Sequence, residues 1–475
     1  MKDNLFIKFL KFSYGSWIGL ILGVLSTMLI TRMFPPDVFG KASMFDLFVQ
    51  VALIITIFGM DQSFVRFFYE EQNKKRGALL FNSLRIPALI SFIMALLIII
   101  LYKPITVFLF DKESFLLALL IVCAIFAQLI FRFAQLVIRM QQKGNIYSLL
   151  QIFNKLLYLL FVIIFFFLIG SYFEVLIIST VLTVLLLSII AVLFENQFWS
   201  LSNFKIKNVK HSLSEIIKFG APFVLTIFIS WLFEAFGKIA IRHWSTFGEL
   251  GIYSAAMRLV ALVSILKVTF STFWTPVSYE QFENNPEDKD FFRYISVVVT
   301  FAMFLVAILS IGAKDLIVLL LGKDYHGAAT IMPFLVFMPV FYTISETTVI
   351  GINFYKKVKW HVLIAGISCG VNILGNWILV PVLGSLGAAI SVAISYIVFF
   401  TLRTIISLKY YKVRYPLVRI YLMAFILLGY SILTVKIDSI MINIYLSFLP
   451  LVLLIVLFYK DLIDIVKRRE IIINR

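Results

Sequence analysis

A chain of 475 residues that is 62% hydrophobic and only 14% charged is not an ordinary soluble domain, where the shares run at about 45–50% and 25%. No single core hides that much apolar surface, so the solvent around the chain must itself be apolar, which a bilayer is. The formal net charge of +17 sits in short clusters between apolar runs, the pattern of cytoplasmic loops, and this placement argues against nucleic acid as a partner.

Crossing about 30 Å of hydrocarbon takes about 20 helical residues. Breaking the apolar runs at charge clusters and Pro/Gly turns predicts fourteen helices, over 12–33, 38–60, 86–102, 115–140, 146–169, 174–194, 216–242, 251–275, 292–313, 328–352, 360–380, 384–408, 417–436 and 440–459. The fold class is therefore all-α and polytopic. Lys2, Lys8 and Lys11 precede the first run as they would in a signal peptide. That run is nevertheless long enough to span, and Arg32-Met33-Phe34-Pro35-Pro36 follows it in place of a small-residue cleavage site, so the first helix is expected to be retained. Cys123 and Cys369 lie inside apolar runs and read as packing residues.

The loops orient the spans. Lys74-Lys75-Arg76, Lys205 with Lys207 and Lys210, Lys356-Lys357 with Lys359, Lys409 through Arg419, and Lys467-Arg468-Arg469 all fall on one side if the chain alternates. Connections on the other side, such as Pro35-Pro36-Asp37 and Gly384-Ser385-Leu386-Gly387, are short and nearly uncharged. The basic side is cytoplasmic by the positive-inside rule, which places both termini in the cytoplasm.

An internal repeat runs through the first twelve spans. Phe39-Gly40-Lys41-Ala42-Ser43 resembles Leu250-Gly251-Ile252-Tyr253-Ser254, and Val107-Phe108-Leu109-Phe110 meets Val318-Leu319-Leu320-Leu321 at the same offset. Leu168-Ile169-Gly170-Ser171 resembles Val382-Leu383-Gly384-Ser385, and Arg32 falls opposite Arg242. A near-constant offset over six spans implies a parallel repeat. The expected organisation is a six-helix lobe over 1–199, a second over 200–412, and two further helices with a cytoplasmic tail over 413–475. Two such lobes suit alternating access around a central cavity.

Ionisable residues inside the membrane cost at least about 2.5–3.5 kcal/mol each, so they face a cavity or a partner. In the seventh span Glu234, Lys238 and Arg242 share one face, either as a cationic cavity wall or as a self-neutralising pair with Arg242 snorkelling outward. In the fourth span Gln128, Arg132, Gln135 and Arg139 form one stripe; Arg132 is deep and has no acid nearby in sequence. The eighth span carries Arg258 and Lys267, expected on roughly the same side. Asp46 in the second span reads as a counter-ion to Arg258 or as an ion carrier. Lys155 with Asn154, Asn372, Asn376 and Glu346 suit hydrogen bonds between helices. Deep cations outnumber deep acids, and arginine grips phosphate oxygens in a bidentate fork, so the expected substrate is anionic and phosphorylated.

Enzyme chemistry finds little support. His211, His243, His326 and His361 have no metal-ligand spacing, and no Gly-Lys-Ser/Thr phosphate loop occurs.

The Phe34-Pro35-Pro36-Asp37-Val38-Phe39-Gly40 turn, the Gly251-Ile252-Tyr253-Ser254-Ala255-Ala256-Met257-Arg258 segment and the fourteen spans in two lobes resemble the polysaccharide flippases of the multidrug/oligosaccharidyl-lipid/polysaccharide exporter superfamily, over essentially the whole chain. The resemblance implies a V-shaped pair of lobes in a bacterial cytoplasmic (inner) membrane. It implies export of an undecaprenyl-diphosphate-linked oligosaccharide for O-antigen, capsule or exopolysaccharide. The implied partners are that lipid-linked sugar, membrane lipids, and the polysaccharide polymerase and chain-length machinery. No cofactor is implied; proton or sodium exchange through Asp46 or Glu234, or a substrate gradient alone, would drive the cycle. By motif position the resemblance assigns the diphosphate and acidic sugars to Arg258, and after it to Arg32 and Arg242. Arg132, Lys238 and Lys267 join them as substrate-binding candidates on charge and depth. The second span offers Lys41 and Asp46 and no deep arginine, a departure from the pyrophosphate clamp of the related peptidoglycan-precursor flippase. The competing readings are that flippase, a multidrug exporter of the same superfamily and, from another class, an integral-membrane polymerase or glycosyltransferase.

Overall fold

The computed structural model describes residues 5–200, 202–203, 209–437 and 439–473, and all the regular elements among them are helices. In chain order these are α1 (Leu5–Met33), α2 (Pro36–Ile57), α3 (Met60–Phe67), α4 (Arg76–Ile100), α5 (Tyr102–Phe110), α6 (Phe115–Met140), α7 (Gly144–Ile169), α8 (Phe173–Phe194), α9 (Asn196–Trp199) and α10 (Leu213–Trp244). They continue with α11 (Phe247–Asn284), α12 (Lys289–Gly312), α13 (Lys314–Val318), α14 (Ala328–Leu335), α15 (Phe337–Thr348), α16 (Ile350–Phe354), α17 (Lys359–Tyr410), α18 (Leu417–Val435) and α19 (Ile440–Ile473). The chain divides into two compact units, Met1–Trp231 and Leu232–Arg475.

Among the described residues thirteen helices are long and apolar enough to cross a membrane. One of them, α17, has 52 residues, which at 1.5 Å per residue is about 78 Å, more than twice the hydrocarbon thickness. Gly384 breaks it at φ 55 and ψ −133, so α17 is two antiparallel crossings, and the fourteen predicted spans each find a helix. The protein is a multi-pass membrane protein, and its outward side chains fit that solvent: Phe167, Val382 and Val418 are about 80% exposed (80%, 80% and 81%).

The ends differ from the prediction where helices outrun their apolar runs. α4 begins at Arg76 and α11 continues to Asn284, because a helix leaving hydrocarbon keeps its own hydrogen bonds while its side chains turn polar. The short helices α3 and α5 were not predicted. Starts follow local chemistry: Pro36 opens α2 with Asp37 in its first turn, and the Ser114, Thr246 and Asp288 side chains accept amide hydrogen bonds at the starts of α6, α11 and α12.

Some local features recur along the chain. α1 and α10 both end on a turn carrying arginine, Arg32 and Arg242, where the helix dipole favours a cation. α2 then starts at Pro36 and α11 at Phe247; α4 and α12 are each followed by a short helix, α5 and α13. Gly170 between α7 and α8 and Gly384 within α17 both hold positive φ, at 105° and 55°. Each lets one crossing reverse into the next with almost no loop.

In the first unit α1 lies along α7, α8 packs on α6 and α7, and α2 touches α4, α6 and α8. The turn before α3 passes so close to α10 that a side chain on either Gly59 or Gly220 would overlap the carbonyl oxygen of the other. In the second unit α15 packs on α11, α12 and α17, while α18 and α19 pack on each other and on α12. Its basic end is closed by an aromatic cluster of Trp274, Phe292, Phe354 and Tyr411.

Two polar clusters fasten α18 and α19. At one end Asp461 of α19, 5% exposed, accepts from Arg293 of α12 at 2.9 Å and from Arg419 of α18. At the other, Asn443 Nδ2 donates to Asp315 at 2.5 Å, and Lys314, 2% exposed, pairs with Asp315 at 3.2 Å and donates to the Ile437 carbonyl at 3.5 Å.

Candidate functional site

In the first unit the predicted polar residues are dispersed. Arg32 is exposed on the last turn of α1, and Asp46 is half-buried on α2. Arg132 has a partner that its own helix conceals: its guanidinium donates to Asp61 Oδ2 at 2.9 Å from α6 to α3. Asp61 lies 71 residues before Arg132, so the pair is one that nearness in sequence does not reveal. Asp61 is 3% exposed and also accepts from the Gln62 backbone amide at 2.8 Å. Asp61 falls just past the predicted second span, 38–60; the signal was the amphipathic Met60–Phe67 segment, with Asp61 in its first turn and Arg66 in its last.

Beyond α3 a second set of charges ties the loops of this unit. Glu71, 3% exposed, accepts from the Lys210 backbone amide at 2.8 Å, and His211 lies 3.2 Å from Glu70 and stacks on Phe67 at 4.1 Å. These contacts hold Lys210 and His211 against the α3 end of the unit, and they consume acids rather than offering a site.

The second unit carries the remaining candidates on α10 and α11. Lys238 and Arg242 are half-buried on α10, and the Arg242 guanidinium lies 4.3 Å from the Phe247 ring centre. The Glu234 side chain lies outside the described residues. Arg258 is half-buried on α11 among the buried Tyr253, Ser254, Ala255, Ala256, Leu259 and Val260. Lys267 is nine residues further along the same helix. Nine residues is two and a half turns, so Arg258 and Lys267 leave α11 on opposite sides, which corrects the expected shared face.

Lys267 belongs to a cluster that no sequence motif announced. Its ammonium sits 3.8 Å from the Tyr342 ring centre, and the Arg403 guanidinium is 5.4 Å from the same ring and 5.0 Å from Phe399. Arg403, 6% exposed on α17, donates to Glu346 Oε1 at 2.8 Å and to Ser345 Oγ at 2.6 Å on α15. Cations over aromatic faces gain about 0.5–2 kcal/mol, and the charge-assisted bond to Glu346 fixes the fork. Arg403 Nε has no hydrogen-bond partner among the described residues. Glu346 bonds between helices, as expected of it. Arg403 was detectable as the one charge in the apolar run 384–408.

Asn372 and Asn376, fully buried on α17, differ from expectation. Asn376 Nδ2 donates to the Asn372 carbonyl at 2.8 Å within one helix, rather than across to another. Asn372 Nδ2, Asn376 Oδ1 and Ser368 Oγ lie on this same stripe with no hydrogen-bond partner among the described residues.

The fold and these sites can be set beside known proteins. A lipid II flippase MurJ in an inward closed conformation matches with a TM-score of 0.68 at 16% identity, covering 97% of this chain and 99% of that one. An inward-facing multidrug resistance MATE family transporter of the MOP superfamily matches with a TM-score of 0.62 at 16% identity, covering 83% and 93%. A MATE transporter in a bent conformation matches with a TM-score of 0.52 at 15% identity, covering 89% and 96%. At such identities these likenesses establish the fold alone. No curated protein matches the chain. Residues 11–282, more than half of the sequence, match the family described as polysaccharide biosynthesis protein, and the chain accordingly belongs to that family, on the fold of the MOP transporters.

Proposed function

We propose that this protein translocates an undecaprenyl-diphosphate-linked oligosaccharide repeat unit across the bacterial cytoplasmic membrane, for O-antigen, capsule or exopolysaccharide synthesis. The observation that carries the reading is the pairing of a polysaccharide biosynthesis family with a fold shared by a lipid II flippase. A sugar on a polyprenyl diphosphate and lipid II have the same problem of transport: a bulky polar head must cross while its prenyl tail stays in hydrocarbon. Alternating access meets this by exposing one polar path to each side in turn.

The charge inventory supports an anionic head. Arg258, Lys238, Arg242 and Lys267 lie on the membrane-crossing α10 and α11, and Lys267 and Arg403 both lie against the Tyr342 ring. Such positions favour phosphate oxygens and repel cationic drugs. In this reading Arg258 holds the diphosphate, with Lys267, Lys238, Arg242, Arg132 and Arg32 along the path, and Asp46 or Glu234 takes the coupling ion. The basic loops and both termini face the cytoplasm, and the polymerase and chain-length machinery receive the exported unit.

The test is complementation in the native host. Deletion should abolish surface polysaccharide, wild type should restore it, and Arg258→Ala or Lys267→Ala should not, at matched membrane abundance. Surface polysaccharide unchanged by deletion would refute the proposal. Arrested wall synthesis in that case would transfer the assignment to peptidoglycan precursor, and altered drug sensitivity would transfer it to drug export.

A further inference from the structure

One feature of the second unit lies outside the transport reading. Between Glu346 and Asp438 the sequence holds no carboxylate side chain, yet it contains Lys356, Lys357, Lys359, Arg403, Lys409, Lys412, Arg414, Arg419 and Lys436. α17 leaves from Lys359 and returns to Tyr410, which brings two basic loops to the same end of the unit. They are joined there: Trp360 Nε1 donates to the Tyr410 hydroxyl at 2.8 Å, Tyr355 and Tyr410 lie 6.2 Å apart, and Lys357 Nζ is 5.9 Å from the Tyr410 ring.

At this junction is a cavity of about 780 Å³ lined by Lys356, Lys357, Val358, Lys359, Trp360 and Leu363. Lys356 takes a left-handed φ of 54° after α16, and this reversal places three exposed lysines around one opening. The wall continuing from the cavity along α17 is apolar and open: Val358 is 66% exposed, Leu363 48% and Ile367 43%. A cationic rim, an indole and two phenols at the interface, and a bare apolar helix running into hydrocarbon form an ordered series. Each part matches one part of a phospholipid: phosphate, glycerol region and acyl chain.

We propose that this pocket binds the headgroup phosphate of an anionic phospholipid, phosphatidylglycerol, with the acyl chains lying along Leu363 and Ile367. A soluble anion would use the lysines and leave the apolar wall uncovered; the lipid uses both. A zwitterionic lipid brings its own ammonium, which the lysines repel. Neither Arg258 nor Lys267 lines this pocket, and the proposal does not depend on what the protein transports.

The test uses the full chain, purified in detergent, with native mass spectrometry to measure retention of phosphatidylglycerol and of phosphatidylethanolamine. Wild type should retain the anionic lipid preferentially. Each surface lysine near a membrane phosphate contributes about a fivefold factor, so Lys357→Gln should weaken retention severalfold and the triple variant K356Q/K357Q/K359Q on the order of 100-fold. The control K74Q/K75Q/K210Q removes three exposed or half-exposed lysines from the first unit and should behave as wild type. Equal retention of the two lipids would overturn the proposal, as would an equal loss in the control. Millimolar inorganic phosphate displacing the lipid completely would also overturn it, marking a pocket for free anions. The single Lys357 variant preserves the comparison should the triple variant fold poorly.

Discussion

The Arg403–Glu346 pair is a demanding test of how this fold is held. The two side chains are 8% and 13% exposed and 2.8 Å apart, so neither has much water to fall back on. Removing one partner of such a pair typically costs about 3–5 kcal/mol, because the other charge stays buried and unpaired. In Glu346→Gln the guanidinium keeps Ser345 and its place over Phe399, which sets the expected loss at the lower end, about 3 kcal/mol. Arg403→Met strands the carboxylate and should cost as much or more. The unit Leu232–Arg475 is large enough that each kcal/mol moves its melting by about 2–4 °C, so both single variants should melt on the order of 10 °C lower. The double variant removes both charges and should recover most of that loss, giving a coupling of about 3 kcal/mol. Thermal unfolding in detergent, followed by intrinsic fluorescence, measures all four proteins. If the two losses simply add in the double variant, the pair is not a coupled buried unit and the reasoning fails.

Other expectations follow from the same geometry. Asp461→Asn leaves Arg293 and Arg419 facing a neutral amide, and should cost about 3 kcal/mol while making the 411–416 segment more susceptible to protease; unchanged digestion would remove Asp461 from the fastening of α18 and α19. Gly59→Ala and Gly220→Ala should each sharply lower the yield of folded protein, because their Cβ atoms overlap the facing carbonyl, whereas Gly366→Ala meets nothing within 4 Å and should be tolerated, which size-exclusion profiles will distinguish. Gly384→Ala forces a left-handed φ and a clash with Glu249, so it should be worse than Gly366→Ala by at least about 1 kcal/mol. Tyr411 donates to the Pro286 carbonyl at 2.6 Å, and burial, with Glu287 and Asp288 adding to it, pushes its phenol up to about 12. A folded value above the unfolded value of about 10 means its contribution is intact below pH 10 and lost as pH rises towards 12. Wild type should therefore lose more stability than Tyr411→Phe between those limits, and parallel pH profiles would contradict the assignment.

The crossings were legible because hydrocarbon imposes one rule, about twenty apolar residues bounded by charge or turns, and the sequence obeys it at each span. Two of the reversals were legible for a similar reason: Gly170 and Gly384 hold positive φ, which few other residues tolerate. What escaped were elements whose reason is tertiary. α3 and α5 are too short to register as apolar runs, and Asp61 matters only because α3 turns it towards Arg132, 71 residues away. Arg403 needed Glu346 from another helix before it could be read as paired rather than as a stray charge. The shared face drawn for Arg258 and Lys267 failed on helical arithmetic alone. Charge type and depth can be read along a chain, whereas partnership cannot.

The fastening of α18 and α19 also sets a clock on biogenesis. Arg293 of α12 is made 168 residues before its partner Asp461, and Asp315 precedes Asn443 by 128. At about 5–20 residues per second, Arg293 must wait on the order of 10–30 s after synthesis for the carboxylate that will neutralise it. During that interval α12 has Arg293 unneutralised and lacks its contacts with α18 and α19. Closure of the Arg293, Arg419 and Asp315 contacts therefore waits on the synthesis of α19, although the rest of the unit's helices precede it in the chain.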